Sequence, residues 1–227
     1  MGGYYIGAHV RTRDAEAVRR EVVGLFETRG FRLVGDEAAG VAVEDEDALP
    51  EGEDWYGVIV SGAAGRGWVS VYVDDWQDSG VLARGLSQAL AAPVLEVWVA
   101  EDVHWGYTYF EGGVVADRFA DDPGQVAETP GEAAQYVGNA AALGAVSQVP
   151  ADRLQAQLRE AQARAGQFAG GPVDALAGAL GLPFEHVFTG YEDFFADDPE
   201  DYGPALENWR GFRHLAFERP PGREGLE

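Results

Sequence analysis

Apolar and polar positions change their period several times along this chain. YYIGAHVR (4–11) alternates and is bounded by glycines, which predicts a strand. DAEAVRREVVGLFETRG (14–30) switches to the helical period. Val18, Val22, Leu25 and Phe26 fall on one face, with Asp14 placed as N-cap and Gly30 as the stop. FRLVG predicts a short second strand, which completes a β-α-β opening. DEAAGVAVEDEDALPEGED (36–54) is acidic and turn-rich, a loop with one weak strand at Val41–Val43. WYGVIVSG and RGWVSVYVDD predict two strands joined by SGAAGRG, read as a flexible loop. WQDSGVLARGLSQALAA (76–92) predicts a second helix. Val81, Leu82, Leu86 and Leu90 point inward there, with Asp78 or Ser79 as cap. PVLEVWVA is a further strand, and AEDVHWGYTYFEGGVVADRF (100–119) reads as a hairpin.

These elements predict an α+β fold for residues 1–122, a mixed or antiparallel sheet with helices on one face. Composition shifts near residue 121. Residues 123–150, rich in Ala and Gly, read as a linker or loose helical connection. Residues 151–227 read as a smaller C-terminal helical, aromatic-rich region. ADRLQAQLREAQARAGQF (151–168) carries an apolar stripe of Leu154, Leu158, Ala161, Ala165 and Phe168. PVDALAGALGLP predicts another helix, ended by Gly181 and Pro183.

The hairpin carries the main functional expectation. A two-residue Gly112-Gly113 turn pairs Glu111 with Val114, Tyr109 with Ala116, and Tyr107 with Arg118. A two-residue Glu101-Asp102 turn pairs Trp98 with Trp105 and Glu96 with Tyr107. The period of two then puts Leu95, Val97, Val99, Phe110, Val115 and Phe119 on one face. Glu96, Trp98, Trp105, Tyr107, Tyr109 and Arg118 fall on the other. GWVSVYVDD sorts the same way, with Val69, Val71 and Val73 opposite Trp68, Ser70, Tyr72 and Asp74. The expected binding residues are therefore Trp68, Tyr72, Glu96, Trp98, Trp105, Tyr107, Tyr109 and Arg118, since Trp, Tyr and Arg are enriched at interface anchors. The alternative is that the aromatics of the C-terminal region cover this face.

Charge narrows the partners. The formal net charge is −23, which argues against nucleic acid and against an anionic membrane surface. It suits either plain solubility or a basic protein partner met by electrostatic steering. All 16 basic residues are Arg, so Schiff-base and Walker-lysine chemistry is excluded. Cysteine is absent, and with it disulfides, thiolate metal sites and thiol nucleophiles. With no long apolar leader or span, the expected location is cytoplasmic.

No motif names a reaction, so no catalytic residue is assigned. His9, His104, His186 and His214 form no HxH, HExxH or HxxxH pattern, and no metal or cofactor is implied. Carboxylate pairs such as Asp74-Asp75 and Asp121-Asp122 read as solvated turns, with DDWQD the one closing a strand. GAHVRTRDAEAVRREVVGLFETRGFRLV (7–34) resembles the opening strand-helix-strand of the glyoxalase, or vicinal-oxygen-chelate, superfamily. That resemblance would make His9 a metal ligand, although the family's further His and Glu ligands lack counterparts here. The plainer reading of His9 is a strand residue at a sheet edge.

Three functions stand at this point. The first is a non-enzymatic acidic binding protein, of immunity or inhibitor type, that engages a basic protein through the aromatic face. The second is a metal-dependent enzyme of glyoxalase-like type. The third is a structural or assembly protein whose aromatic face makes a homodimer.

Overall fold

The chain threads β1 (Tyr4–Val10), α1 (Ala15–Thr28), β2 (Arg32–Ala38), β3 (Trp55–Val60), β4 (Val69–Val73) and α2 (Ser79–Leu90). It continues through β5 (Val94–Ala100), β6 (His104–Glu111) and β7 (Val114–Ala120). The computed structural model describes residues 4–38, 55–194 and 211–220. The predicted strand at Val41–Val43 lies outside them.

Short helical turns follow: α3 (Pro123–Val126), α4 (Pro130–Ala133), and 3₁₀ turns at Ala134–Tyr136 and Ala142–Ala145. Then come α5 (Ala151–Ala163), α6 (Gly170–Leu180), α7 (Phe184–Val187) and a last strand, β8 (Arg213–Glu218). The eight strands form one antiparallel sheet in the order β2-β8-β3-β4-β1-β5-β6-β7. Its centre, β3-β4-β1-β5 with α1 and α2, is a split β-α-β unit of β-α-β-β-α-β order.

The α+β class holds. The strand β8 was not foreseen, because the tail reads as helical and aromatic-rich. It enters between β2 and β3, so the last described segment closes the sheet that the first residues opened.

Both faces of the sheet are covered. On one, α1 and α2 pack Val18, Val22, Phe26, Leu82, Ala83 and Leu86 against Val10, Val58, Val60, Val71, Val73 and Phe217. Each of these Val, Leu and Phe side chains taken out of water is worth roughly 1.5–3 kcal/mol. Asp14 caps α1 as predicted, accepting from the Ala17 amide at 2.9 Å. Asp78 stands at the N-cap of α2 without capping it, because its carboxylate accepts from Tyr56 and Arg29. Val81 is 61% exposed, and Ala83 takes the inward place predicted for it.

On the other face, α5, α6 and the 140–146 segment pack Leu143, Leu154, Leu158, Leu176 and Leu180 against Leu95, Val97, Val99, Trp105, Tyr107, Tyr109 and Phe119. The 123–150 stretch is therefore folded onto the sheet through Ala140, Leu143 and Val146. Helix α5 ends at Ala163, short of the predicted stripe, so Ala165 and Phe168 are exposed. Gly181 ends α6 at φ 67, and its turn is braced against Gly65, where a Cβ would meet the Gly181 carbonyl. SGAAGRG is thus a packed turn.

The hairpin register differs from the predicted one at two points. The first turn uses Glu101, Asp102 and Val103 rather than two residues, so Ala100 pairs with His104, Val99 with Trp105, Trp98 with Gly106 and Glu96 with Thr108. Glu101 and Asp102 sit at φ 54 and 60 to make it. At the second turn Glu111 pairs with Val114 as predicted, but a register shift follows between Tyr109 and Phe110. Tyr109 then pairs with Asp117, Thr108 with Arg118 and Tyr107 with Phe119. Each one-residue slip moves a whole set of side chains to the opposite face.

Candidate functional site

The eight residues expected to share one face are divided between two. Trp68, Tyr72, Trp105, Tyr107 and Tyr109 lie together on the face under the C-terminal layer. Glu96, Trp98 and Arg118 belong to the opposite face, because Glu96 pairs with Ala8 and Trp98 with Gly106. Trp98 lies over Gly106, where a Cβ would overlap its ring. Arg118 packs 5.7 Å from the Tyr136 ring and donates to Gln135.

All five aromatics are buried, and the polar side-chain atoms of Trp68, Tyr72, Tyr107 and Tyr109 have partners. Trp68 Nε1 donates to the Leu180 carbonyl at 3.0 Å. Tyr72 donates to the His186 carbonyl at 2.7 Å, Tyr107 to Asp117 at 2.8 Å, and Tyr109 to Glu111 at 2.8 Å. Burial pushes all three phenols well above their ordinary range. Glu96 is buried beside the start of α2, which raises its carboxyl. Hydrogen bonds from Ser79 and Thr108 and the Arg118 charge oppose that rise.

A second cluster sits at the centre of the sheet. Ser70 Oγ lies 2.9 Å from His9 Nδ1 and 3.0 Å from His186 Nδ1, and the Ser70 amide donates to Ser61 Oγ. His9 is therefore not at an edge, since β1 runs between β4 and β5. Burial, helped by the neighbouring His186, lowers His9 to about 3, and burial lowers His186 as well. Both imidazoles are thus neutral near pH 7. One hydroxyl between two neutral Nδ1 atoms donates to one and accepts from the other. His9 Nε2 is buried without a partner among the described residues. Leaving it as a bare acceptor makes His9 Nδ1 the donor to Ser70 and His186 Nδ1 the acceptor.

A serine nucleophile needs an accessible Oγ and an oriented base. Ser70 is 0% exposed, and no carboxylate hydrogen-bonds either imidazole among the described residues. This cluster instead fastens α7 to the sheet. Nor do the histidines assemble a metal site: among the described residues no group of three His, Cys, Asp or Glu side chains could hold an ion.

One open feature among the described residues is a pocket of about 230 Å³ where the hairpin meets the α5–α6 connection. Trp105, Asp121, Arg164, Phe168, Gly171 and Pro172 line it. The Ala169 amide ties that connection to the Asp102 carbonyl at 2.8 Å. Asp121 is buried, and its Oδ1 accepts from the Trp105 and Asp122 amides at 3.0 and 2.9 Å. Its Oδ2 lies 3.7 Å from His104 Nδ1. Burial raises the Asp121 carboxyl, and the two amides and His104 pull it back. Arg164 stands at the rim, paired with Glu160 at 2.7 Å.

Of the expected binding residues, Trp105 alone lines this pocket. In the sequence Asp121 reads as half of a solvated acidic pair, and nothing local signals its burial. Arg164 and Phe168 lie in a stretch that reads as continuous helix. The only available signal was AGQFAGGP, whose glycines break it. No family model, curated protein or solved structure matches this chain.

Proposed function

We propose that this protein is a non-enzymatic binding protein for a basic protein partner, engaged through its acidic exterior. An immunity or inhibitor role against a basic toxin or enzyme is the sharpest form of this reading. The observation that carries it is the formal charge of −23. Burial of His9, His186 and His214 lowers their pKa values, so these imidazoles do not offset it near pH 7. A surface of one sign raises the encounter rate with a partner of the other. The aromatic sheet face is occupied by the chain's own C-terminal layer, which moves the contact surface outward.

Affinity capture at low and high salt, followed by calorimetry on the captured species, tests this. A partner of net positive charge whose affinity falls steeply with salt is expected. A neutral or acidic partner, or binding that salt leaves unchanged, overturns it.

A further inference from the structure

We infer that the pocket between Trp105 and Phe168 receives a single arginine or lysine side chain of the basic partner; this rests on the reading above.

Size limits the occupant first. About 230 Å³ falls below the range of about 300–1,000 Å³ usual for small-molecule sites. It has room for one long side chain.

Chemistry selects the class. Two lining residues, Trp105 and Phe168, are aromatic, and aromatic faces attract cations. A third, Asp121, is a buried carboxylate. Its Oδ1 is used by two backbone amides, while Oδ2 has only the 3.7 Å approach of His104. A guanidinium or ammonium meeting Oδ2 would make a charge-assisted bond in a partly desolvated place, where such bonds are strongest. Arg164 is the lining cation. It stands at the exposed rim and is paired to Glu160, so it leaves the Asp121 end negative. Phe168 is 67% exposed although it is the largest apolar side chain on that rim, as a partner contact would be before binding.

The probes are N-acetyl-arginine amide and its uncharged isostere N-acetyl-citrulline amide, titrated into the whole ¹⁵N-labelled protein. The arginine compound is expected to give saturable shifts centred on the amides of Trp105, Asp121 and Ala169. The citrulline compound is expected to bind at least about tenfold more weakly. Asp121→Asn keeps the oxygen that the two amides need and removes the charge, so it should weaken arginine binding about tenfold or more. Phe168→Ala should weaken it several-fold, and an otherwise unchanged spectrum shows that either variant is folded. Shifts scattered over the acidic surface, equal binding of citrulline, or an unaffected Asp121→Asn overturn the inference.

The same variants separate it from the reading beneath it. If salt-sensitive capture of a basic partner survives both substitutions, that reading stands and the pocket is not its docking point. If the arginine compound binds the pocket but no basic partner is captured, the pocket's cation preference stands and the reading falls.

Discussion

On one face of the sheet Val58, Val60, Val71 and Val73 meet Val18, Val22, Phe26, Leu82 and Leu86. On the other, Trp68, Trp105 and Tyr107 meet Leu154, Leu158, Leu176, Leu180 and Val187. The first layer is built from α1 and α2, each joined to its neighbouring strands by short connections. Chain connectivity already places those helices, and a few hydrogen bonds, such as Tyr56 to Asp78 and Arg84 to the Gly113 carbonyl, supplement the apolar packing. The second layer arrives from a distant part of the chain and is pinned by directional bonds. Trp68 reaches Leu180, Tyr72 reaches His186, Ser70 reaches His186, and Gln162 reaches the Ala120 carbonyl. Non-directional burial attracts a layer, and hydrogen bonds from its buried polar atoms fix where it sits.

The largest test of this contrast is removal of an anchor on each face. Trp105→Ala should cost about 3–5 kcal/mol and Leu86→Ala about 2–5 kcal/mol in urea denaturation. Because both layers share one sheet, each variant should keep a single transition with an unchanged slope. A separate early transition in Trp105→Ala alone would mean that the second layer unfolds independently.

Next come the pins. Ser70→Ala strips the hydrogen-bond partner from the Nδ1 atoms of both His9 and His186, at a cost of about 1–3 kcal/mol. Tyr107→Phe leaves Asp117 with the Asn139 amide alone, and a bond to a charged group is worth about 1.5–3 kcal/mol. A change below about 0.5 kcal/mol in both would remove the idea that directional bonds hold this layer.

Titration distinguishes two sites on the second-layer face by sign, the buried His9 and the half-buried Asp74. His9, lowered to about 3 by burial, contributes stability present above its ordinary 6.5 and lost as pH falls through about 3. Asp74 is raised to about 6 by burial, against hydrogen bonds from the Gly57 and Asp75 amides. Its contribution is present below 3.8 and lost as pH rises through about 6. Side-chain NMR should show the His9 ring neutral from pH 8 down to about 4, while Asp74 titrates near 6.

The smallest effects belong to the exposed rim. Phe168→Ala and Val81→Ala should each shift stability by no more than about 0.5 kcal/mol. A larger loss at Phe168 would make it part of the packed layer rather than a free surface.

The helix α1, from its Asp14 cap to Gly30, was legible in the sequence because cap, period and stop are all local. So were the alternation of Val69, Val71 and Val73 against Trp68, Ser70 and Tyr72, and the Gly112-Gly113 turn. The separation of Glu96, Trp98 and Arg118 from Trp105, Tyr107 and Tyr109 was not. It depends on the extra turn residue Val103 and on the shift past Tyr109, and a slip of one residue reverses every face beyond it. Asp121 shows the same limit at the pocket, since an acidic pair after a strand looks alike whether water or Trp105 lies over it.

By itself, the sequence determined the α+β class, the helices of the first layer, the excess of negative charge and the absence of lysine and cysteine chemistry. These follow from composition and from periods within a dozen residues. Only the tertiary structure decided that β8 joins the sheet, that the aromatic face is closed, and that His9, Ser70 and His186 meet. Those depend on pairings between distant parts of the chain: His9 and Ser70 are 61 residues apart, Ser70 and His186 are 116 apart, and β3 pairs with β8 across more than 150. No local pattern encodes such a pairing; it forms because the fold buries both partners together.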